Sequence, residues 1–147
     1  MFADFDGDGD KDLFISHMTQ SSLMYRNNGD GTFTDVTEEA GLARALGTMS
    51  GTAGDVDNDG FVDIFLGNGG PKMERREPDS LFRNRGDGTF QEITSLVGVS
   101  HMGKSHGVTF ADYDKDGDLD LYVPIGGART GDLWENVFYR NDSSGRS

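Results

Sequence analysis

Asp4, Asp6, Asp8 and Asp12 occupy positions 1, 3, 5 and 9 of a loop whose sixth residue is Gly9, and the chain of 147 residues writes that loop three times. The second copy is Asp55, Asp57, Asp59, Gly60 and Asp63, and the third is Asp112, Asp114, Asp116, Gly117 and Asp120. Carboxylates packed this densely repel one another unless a cation sits among them, and hard oxygen ligands in a flexible loop suit Ca²⁺. An EF-hand shares positions 1, 3 and 5 and the glycine at 6, but it needs a bidentate Glu at position 12 and a helix on either side. Here position 12 is Ile15, Leu66 and Val123. That ligand is missing three times, and the EF-hand is excluded.

The segment after each loop decides the local fold. Asp12-Leu13-Phe14-Ile15, Asp63-Ile64-Phe65-Leu66 and Asp120-Leu121-Tyr122-Val123 are short, branched or aromatic, and apolar on both faces, as buried strands are. A second cassette repeats as well: residues 25–33, Tyr-Arg-Asn-Asn-Gly-Asp-Gly-Thr-Phe, match residues 82–90 without a gap. Phe138-Tyr139-Arg140-Asn141 begins a third copy. Each unit therefore reads as four strands. Strand a enters the Asp loop, b leaves it, c ends in Arg-Asn, and d follows a Gly-Asp-Gly hairpin turn. From Asn27 to Asp55 and from Asn84 to Asp112 the spacing is 28 residues, whereas from first loop Asp to Asn it is 23, 29 and 29. All the length variation lies between strands b and c.

A four-stranded unit of this length, repeated and apolar on both faces, predicts an all-β chain of propeller blades. The expected blades are 1–47 with strand a cut short, 48–104, and 105–147 lacking strand d. A closed propeller needs roughly 4–8 blades, so the expectation is a fragment of a larger propeller, with a protomer that closes by assembly as the alternative.

Composition narrows the partners. Lys and Arg total 13 against 26 Asp and Glu, a net charge of −13, and fourteen of the acidic residues lie within the three loops. The acidity is mostly a local ligand supply, and it argues against nucleic acid as a partner. With no Cys, disulfides and thiolate metal sites are out. No run approaches the roughly 20 apolar residues that span a membrane, and no signal peptide is seen, because Met1-Phe2-Ala3 leads straight into the first loop.

The three Asp loops together with the cassettes at 24–37 and 81–94 resemble the FG-GAP/VCBS-type β-propeller repeat, over essentially the whole chain. The resemblance implies Ca²⁺, up to three ions with one per loop, held by the carboxylates at positions 1, 3, 5 and 9 and by the carbonyl at position 7. Those carbonyls belong to Asp10, Phe61 and Asp118. It also implies a non-catalytic scaffold for recognition or adhesion, secreted or at the cell surface, with calcium mainly structural. The alternatives are a polysaccharide-active or hydrolytic propeller enzyme with its active site in other blades, and a purely architectural module.

In such a blade the Asp loops and the Gly-Asp-Gly turns share one end. The b–c connections (16–22, 67–79, 124–135) and d–a connections (38–47, 95–105) share the other, where a protein or glycan ligand is expected. His17, His101 and His106 lie at or near that end and read as unrelated loop histidines. Lys72, Arg75 and Arg76 alternate with Glu74, Glu77 and Asp79 as a solvated loop does. Trp134 reads as cover for the edge of the third blade. Arg85-Gly86-Asp87 spells an adhesion tripeptide, but Asn28-Gly29-Asp30 fills the same turn, so the hairpin explains Gly and Asp.

Overall fold

Branched and aromatic segments punctuated by glycine turns favour short antiparallel strands, and the computed structural model contains eleven among its described residues. Those residues are 1–69, 77–126 and 135–142. Lys72, Glu74, Arg75, Arg76 and Trp134 lie outside them.

The first sheet holds β1 (Phe2–Ala3), β2 (Asp12–Ile15), β3 (Leu23–Asn27) and β4 (Phe33–Asp35). The second holds β5 (Thr48–Gly54), β6 (Asp63–Asn68), β7 (Ser80–Asn84) and β8 (Phe90–Glu92). The third holds β9 (Thr109–Ala111), β10 (Asp120–Val123) and β11 (Val137–Tyr139). Neighbours in sequence are neighbours in each sheet, and every pairing is antiparallel. The architecture is all-β, and its three sheets do not close on themselves.

Alternation along the strands assigns the faces. In the middle sheet Ile64, Leu66 and Phe82 meet Phe14 and Met24 of the first sheet, and Phe5 of the loop between β1 and β2, in one core. Phe65 and Leu81, on the opposite face, meet Leu121, Val123 and Ile125 in a second. All six residues of β6 are therefore buried, whereas β2 alternates between buried and half-buried and Tyr122 of β10 is exposed. Apolar residues on both faces mark strand b in each unit, but only the middle copy has a sheet against both. The sheets also converge along strand a. A Cβ on Gly54 would lie 2.8 Å from Leu119 and 3.2 Å from Phe110, so the glycine lets β5 approach the third sheet closely.

One element departs from a pure strand reading. After β8 the chain makes a single helical turn, α1 (Thr94–Val97), closed by Gly98 at φ 76°. Gly41, at the matching place in the first unit, has the same φ and comes after a comparable turn, in which the Ala40 N–H donates to the Val36 carbonyl.

Candidate metal centres

Two left-handed residues curl each Asp loop. Position 6 is glycine at φ 94°, 93° and 95° (Gly9, Gly60, Gly117), a region that side chains rarely tolerate. Position 4 is Gly7, Asn58 or Lys115, at φ 78°, 57° and 63°. The curl lets the first Asp accept loop N–H groups. Asp4 accepts from Gly7 and Gly9 at 2.8 and 3.0 Å, Asp55 from Asp59 and Gly60 at 3.1 and 2.8 Å, and Asp112 from Asp116 and Gly117 at 3.2 Å each. It also draws carboxylates together. One oxygen each from Asp4, Asp6 and Asp8 lies within 4.8 Å of the others, and the same holds for Asp55, Asp57 and Asp63 and for Asp112, Asp114 and Asp116.

Position 9 has a second duty that the sequence pattern did not disclose. Asp12 accepts the Phe5 N–H at 2.9 Å and the Asn27 N–H at 2.8 Å. Asp63 accepts from Val56 at 2.9 Å and Asn84 at 2.8 Å, and Asp120 accepts from Tyr113 at 3.0 Å and Asn141 at 2.8 Å. All three carboxylates are buried, and each pins the start of its loop to the end of strand c. A carboxylate oxygen has two lone pairs, so these bonds leave acceptor capacity for a cation. Of the three, Asp63 alone joins a converging group among the described residues, in place of Asp59. Burial pushes Asp63 up to about 6, against the lowering effect of its two N–H bonds.

The loops carry only Lys11 and Lys115 against their fourteen Asp residues, and arginines supply further counter-charge. Nε of Arg83 lies 2.5 Å from Asp57 and its terminal nitrogen 3.0 Å from Asp59. Arg140 reaches Asp114 at 3.0 Å and Asp116 at 3.9 Å. In the first unit, among the described residues, no ion pair joins Arg26 to Asp6 or Asp8. Desolvation still holds Asp57 above the ordinary carboxylate range despite Arg83. Desolvation, then repulsion from Asp12, raises Asp6, while desolvation and then Asp116 raise Asp114 against Arg140. Exclusively oxygen donors, converging in threes and short of positive charge, fit a hard divalent cation.

Of the position-7 residues, Asp10 is exposed. Phe61 packs its ring beside Gly7 and over Gly86, and Asp118 accepts a 2.7 Å hydrogen bond from the Asn58 side chain. The Asp loops thus touch the Gly-Asp-Gly turns and one another. In those turns Asp30 and Asp87 accept both the N–H and the hydroxyl of Thr32 and Thr89, so Asp87 of the adhesion tripeptide has a turn-forming part.

The asparagine of each Arg-Asn pair joins sheets. Asn84 donates its side-chain amide to the Phe5 carbonyl at 2.7 Å and to Val62 at 3.1 Å. Asn141 repeats this with Val56 at 2.7 Å and Leu119 at 3.3 Å. The recurrence of Asn at matched positions was the available signal, but its partner 79 residues away was not.

At the opposite end the b–c and d–a connections meet. The Asp79 N–H donates to the His101 carbonyl at 3.0 Å, and Asp79 accepts from the Asn68 N–H and the Ser105 hydroxyl at 2.8 Å. Burial pushes Asp79 up to about 6. No histidine belongs to a converging group of ligand-type side chains among the described residues.

A family model described as FG-GAP-like repeat matches residues 4–66 and 67–123. The chain is 35% identical over 89 residues to cartilage acidic protein 1 of Xenopus tropicalis, a match covering 60% of this chain and 13% of that protein. It is 34% identical over 88 residues to the Homo sapiens protein of that name (59% and 12%) and 29% over 116 residues to that of Mus musculus (78% and 17%). The chain therefore spans less than a fifth of these relatives.

Proposed function

The chain belongs to the FG-GAP-like repeat family, and from that premise we propose that it is a calcium-stabilised, non-catalytic propeller segment serving recognition or adhesion outside the cell. The observation that carries the reading is the threefold Asp loop, in which three carboxylate oxygens converge each time. Asp4, Asp6, Asp8 and Asp12 would hold one ion, Asp55, Asp57, Asp59 and Asp63 a second, and Asp112, Asp114, Asp116 and Asp120 a third, joined by the carbonyls of Asp10, Phe61 and Asp118. Calcium supplies positive charge where desolvation and mutual repulsion raise Asp6, Asp57 and Asp114. It would couple to folding, since the liganding loops bridge strand a to strand b.

Near-millimolar extracellular Ca²⁺ suits loops of this kind, and the likeness to cartilage acidic protein 1 supports a place outside the cell. The end opposite the loops, where the b–c connections change length, is assigned to a protein or glycan ligand. Calorimetric titration tests the metal reading. Up to three Ca²⁺ should bind, one fewer for each of Asp4→Asn, Asp55→Asn and Asp112→Asn. Absence of binding, or binding unchanged in the triple variant, refutes it.

A further inference from the structure

Six hydrogen bonds run in series through the three candidate centres. Asp12 accepts the Phe5 N–H at 2.9 Å, and the Phe5 carbonyl accepts the side-chain amide of Asn84 at 2.7 Å. The backbone N–H of the same Asn84 donates to one oxygen of Asp63 at 2.8 Å, and the other oxygen accepts the Val56 N–H at 2.9 Å. The Val56 carbonyl accepts the Asn141 side chain at 2.7 Å, and the Asn141 N–H donates to Asp120 at 2.8 Å. Asp12, Asp63 and Asp120 are the position-9 carboxylates, while Phe5 and Val56 stand between the first two carboxylates of their loops. Each asparagine therefore grips one loop with its side chain and a carboxylate of the next loop with its backbone.

The first junction is buried at Asp12, Phe5, Asn84 and Asp63, where hydrogen bonds are electrostatically stronger than in water. The second is half-buried at Val56 and Asn141 and ends on the buried Asp120. A surface contact accompanies each junction. Gly7, at position 4 of the first loop, lies beside the ring of Phe61 at position 7 of the second. Asn58, at position 4 of the second loop, donates to Asp118 at position 7 of the third at 2.7 Å. The first and third loops are joined only through the second by these bonds.

We propose that Asn84 and Asn141 couple neighbouring metal sites, so that Ca²⁺ in one loop raises the affinity of the next; the inference rests on the calcium reading above. An occupied second site fixes Asp63 in one orientation. Asn84, bonded to it, then presents its amide to Phe5 in one arrangement, and the first loop has less disorder left to lose when its own ion arrives. Linkage makes the effect equal in the reverse direction. Asn141 does the same between the second and third sites.

Calorimetric titration of the whole chain with one site disabled at a time tests this, with circular dichroism confirming that each variant is folded in calcium. Asp112→Asn leaves the first and second sites, and Asp4→Asn leaves the second and third. In both, the second ion should bind at least about fivefold tighter than the first after the statistical factor, the low end for coupled sites. Asp55→Asn leaves the first and third sites, which should fill independently. Adding Asn84→Ala should abolish the cooperativity of Asp112→Asn and leave that of Asp4→Asn. Asn141→Ala should do the reverse, so each junction is tested even if one of the two variants does not fold. Independent binding by neighbouring sites overturns the proposal. So does equal cooperativity in all three pairs, which linkage to folding of the whole chain would give. Absence of any binding refutes the calcium reading itself, and the coupling with it.

Discussion

Replacing Asp79 by Asn should make the protein more stable at alkaline pH, although it removes a buried charged side chain. The carboxyl is fully buried, accepts from the Asn68 N–H and the Ser105 hydroxyl, and takes part in none of the ion pairs among the described residues. Burial pushes its pKa from 3.8 up to about 6. The folded state thus keeps this proton to higher pH than the unfolded chain does. The associated stability is complete below about pH 3.8 and is lost as pH rises through about 6. At 1.36 kcal/mol per pKa unit the full loss is about 3 kcal/mol. A neutral amide does not titrate, and the third unit shows that it fits: Asn136 accepts the Ile125 N–H at 3.0 Å as Asp79 accepts that of Asn68. Urea unfolding of both proteins, at fixed calcium and across pH, reads the difference. Asp79→Asn should match the wild type near pH 4 and exceed it by up to about 3 kcal/mol near pH 8. A difference that does not change with pH, or a variant that loses more stability as pH rises, would refute the reasoning.

Two further predictions separate scaffold from metal. Asn84→Ala orphans the buried Phe5 carbonyl and removes a bond to the half-buried Val62 carbonyl, and should cost about 1–3 kcal/mol by urea unfolding. Asn27→Ala, which loses two long side-chain hydrogen bonds at an exposed site, to the Lys11 carbonyl at 3.2 Å and from the Gly29 N–H at 3.1 Å, should cost less than Asn84→Ala, about 1 kcal/mol. Arg83→Gln removes the counter-charge from Asp57 and Asp59, both partly exposed, so in chelator it should cost only about 0.5–1 kcal/mol. In excess Ca²⁺ that cost should shrink, because the ion then balances the same carboxylates, and thermal scans in the two conditions would show it.

Local pattern was legible because each unit repeats it. The strand-b runs after Asp12, Asp63 and Asp120, the turns at Gly29 and Gly86, and the order of strands all stand where residue type and spacing put them. What spacing could not convey was tertiary. Leu66 and Val123 read alike, as do Phe65 and Tyr122, yet only the middle sheet has neighbours on both faces, so Phe65 is buried and Tyr122 is not. The position-9 carboxylates looked like ligands alone, because the N–H of Asn27, Asn84 or Asn141 reaches them only once strand c has folded back along strand b. The turn at Thr94–Val97 stood in a connection whose sequence carries no helical period long enough to notice.

Thermal unfolding of the intact chain in Ca²⁺, in Mg²⁺ and in chelator addresses the central claim most directly. With Ca²⁺ at tenfold its dissociation constant, each site adds about 1.4 kcal/mol. Three sites then raise the midpoint by roughly 8–17 °C for a domain of this size. Mg²⁺, which demands a stricter octahedral shell, should do much less. A midpoint identical in Ca²⁺ and in chelator would contradict the account.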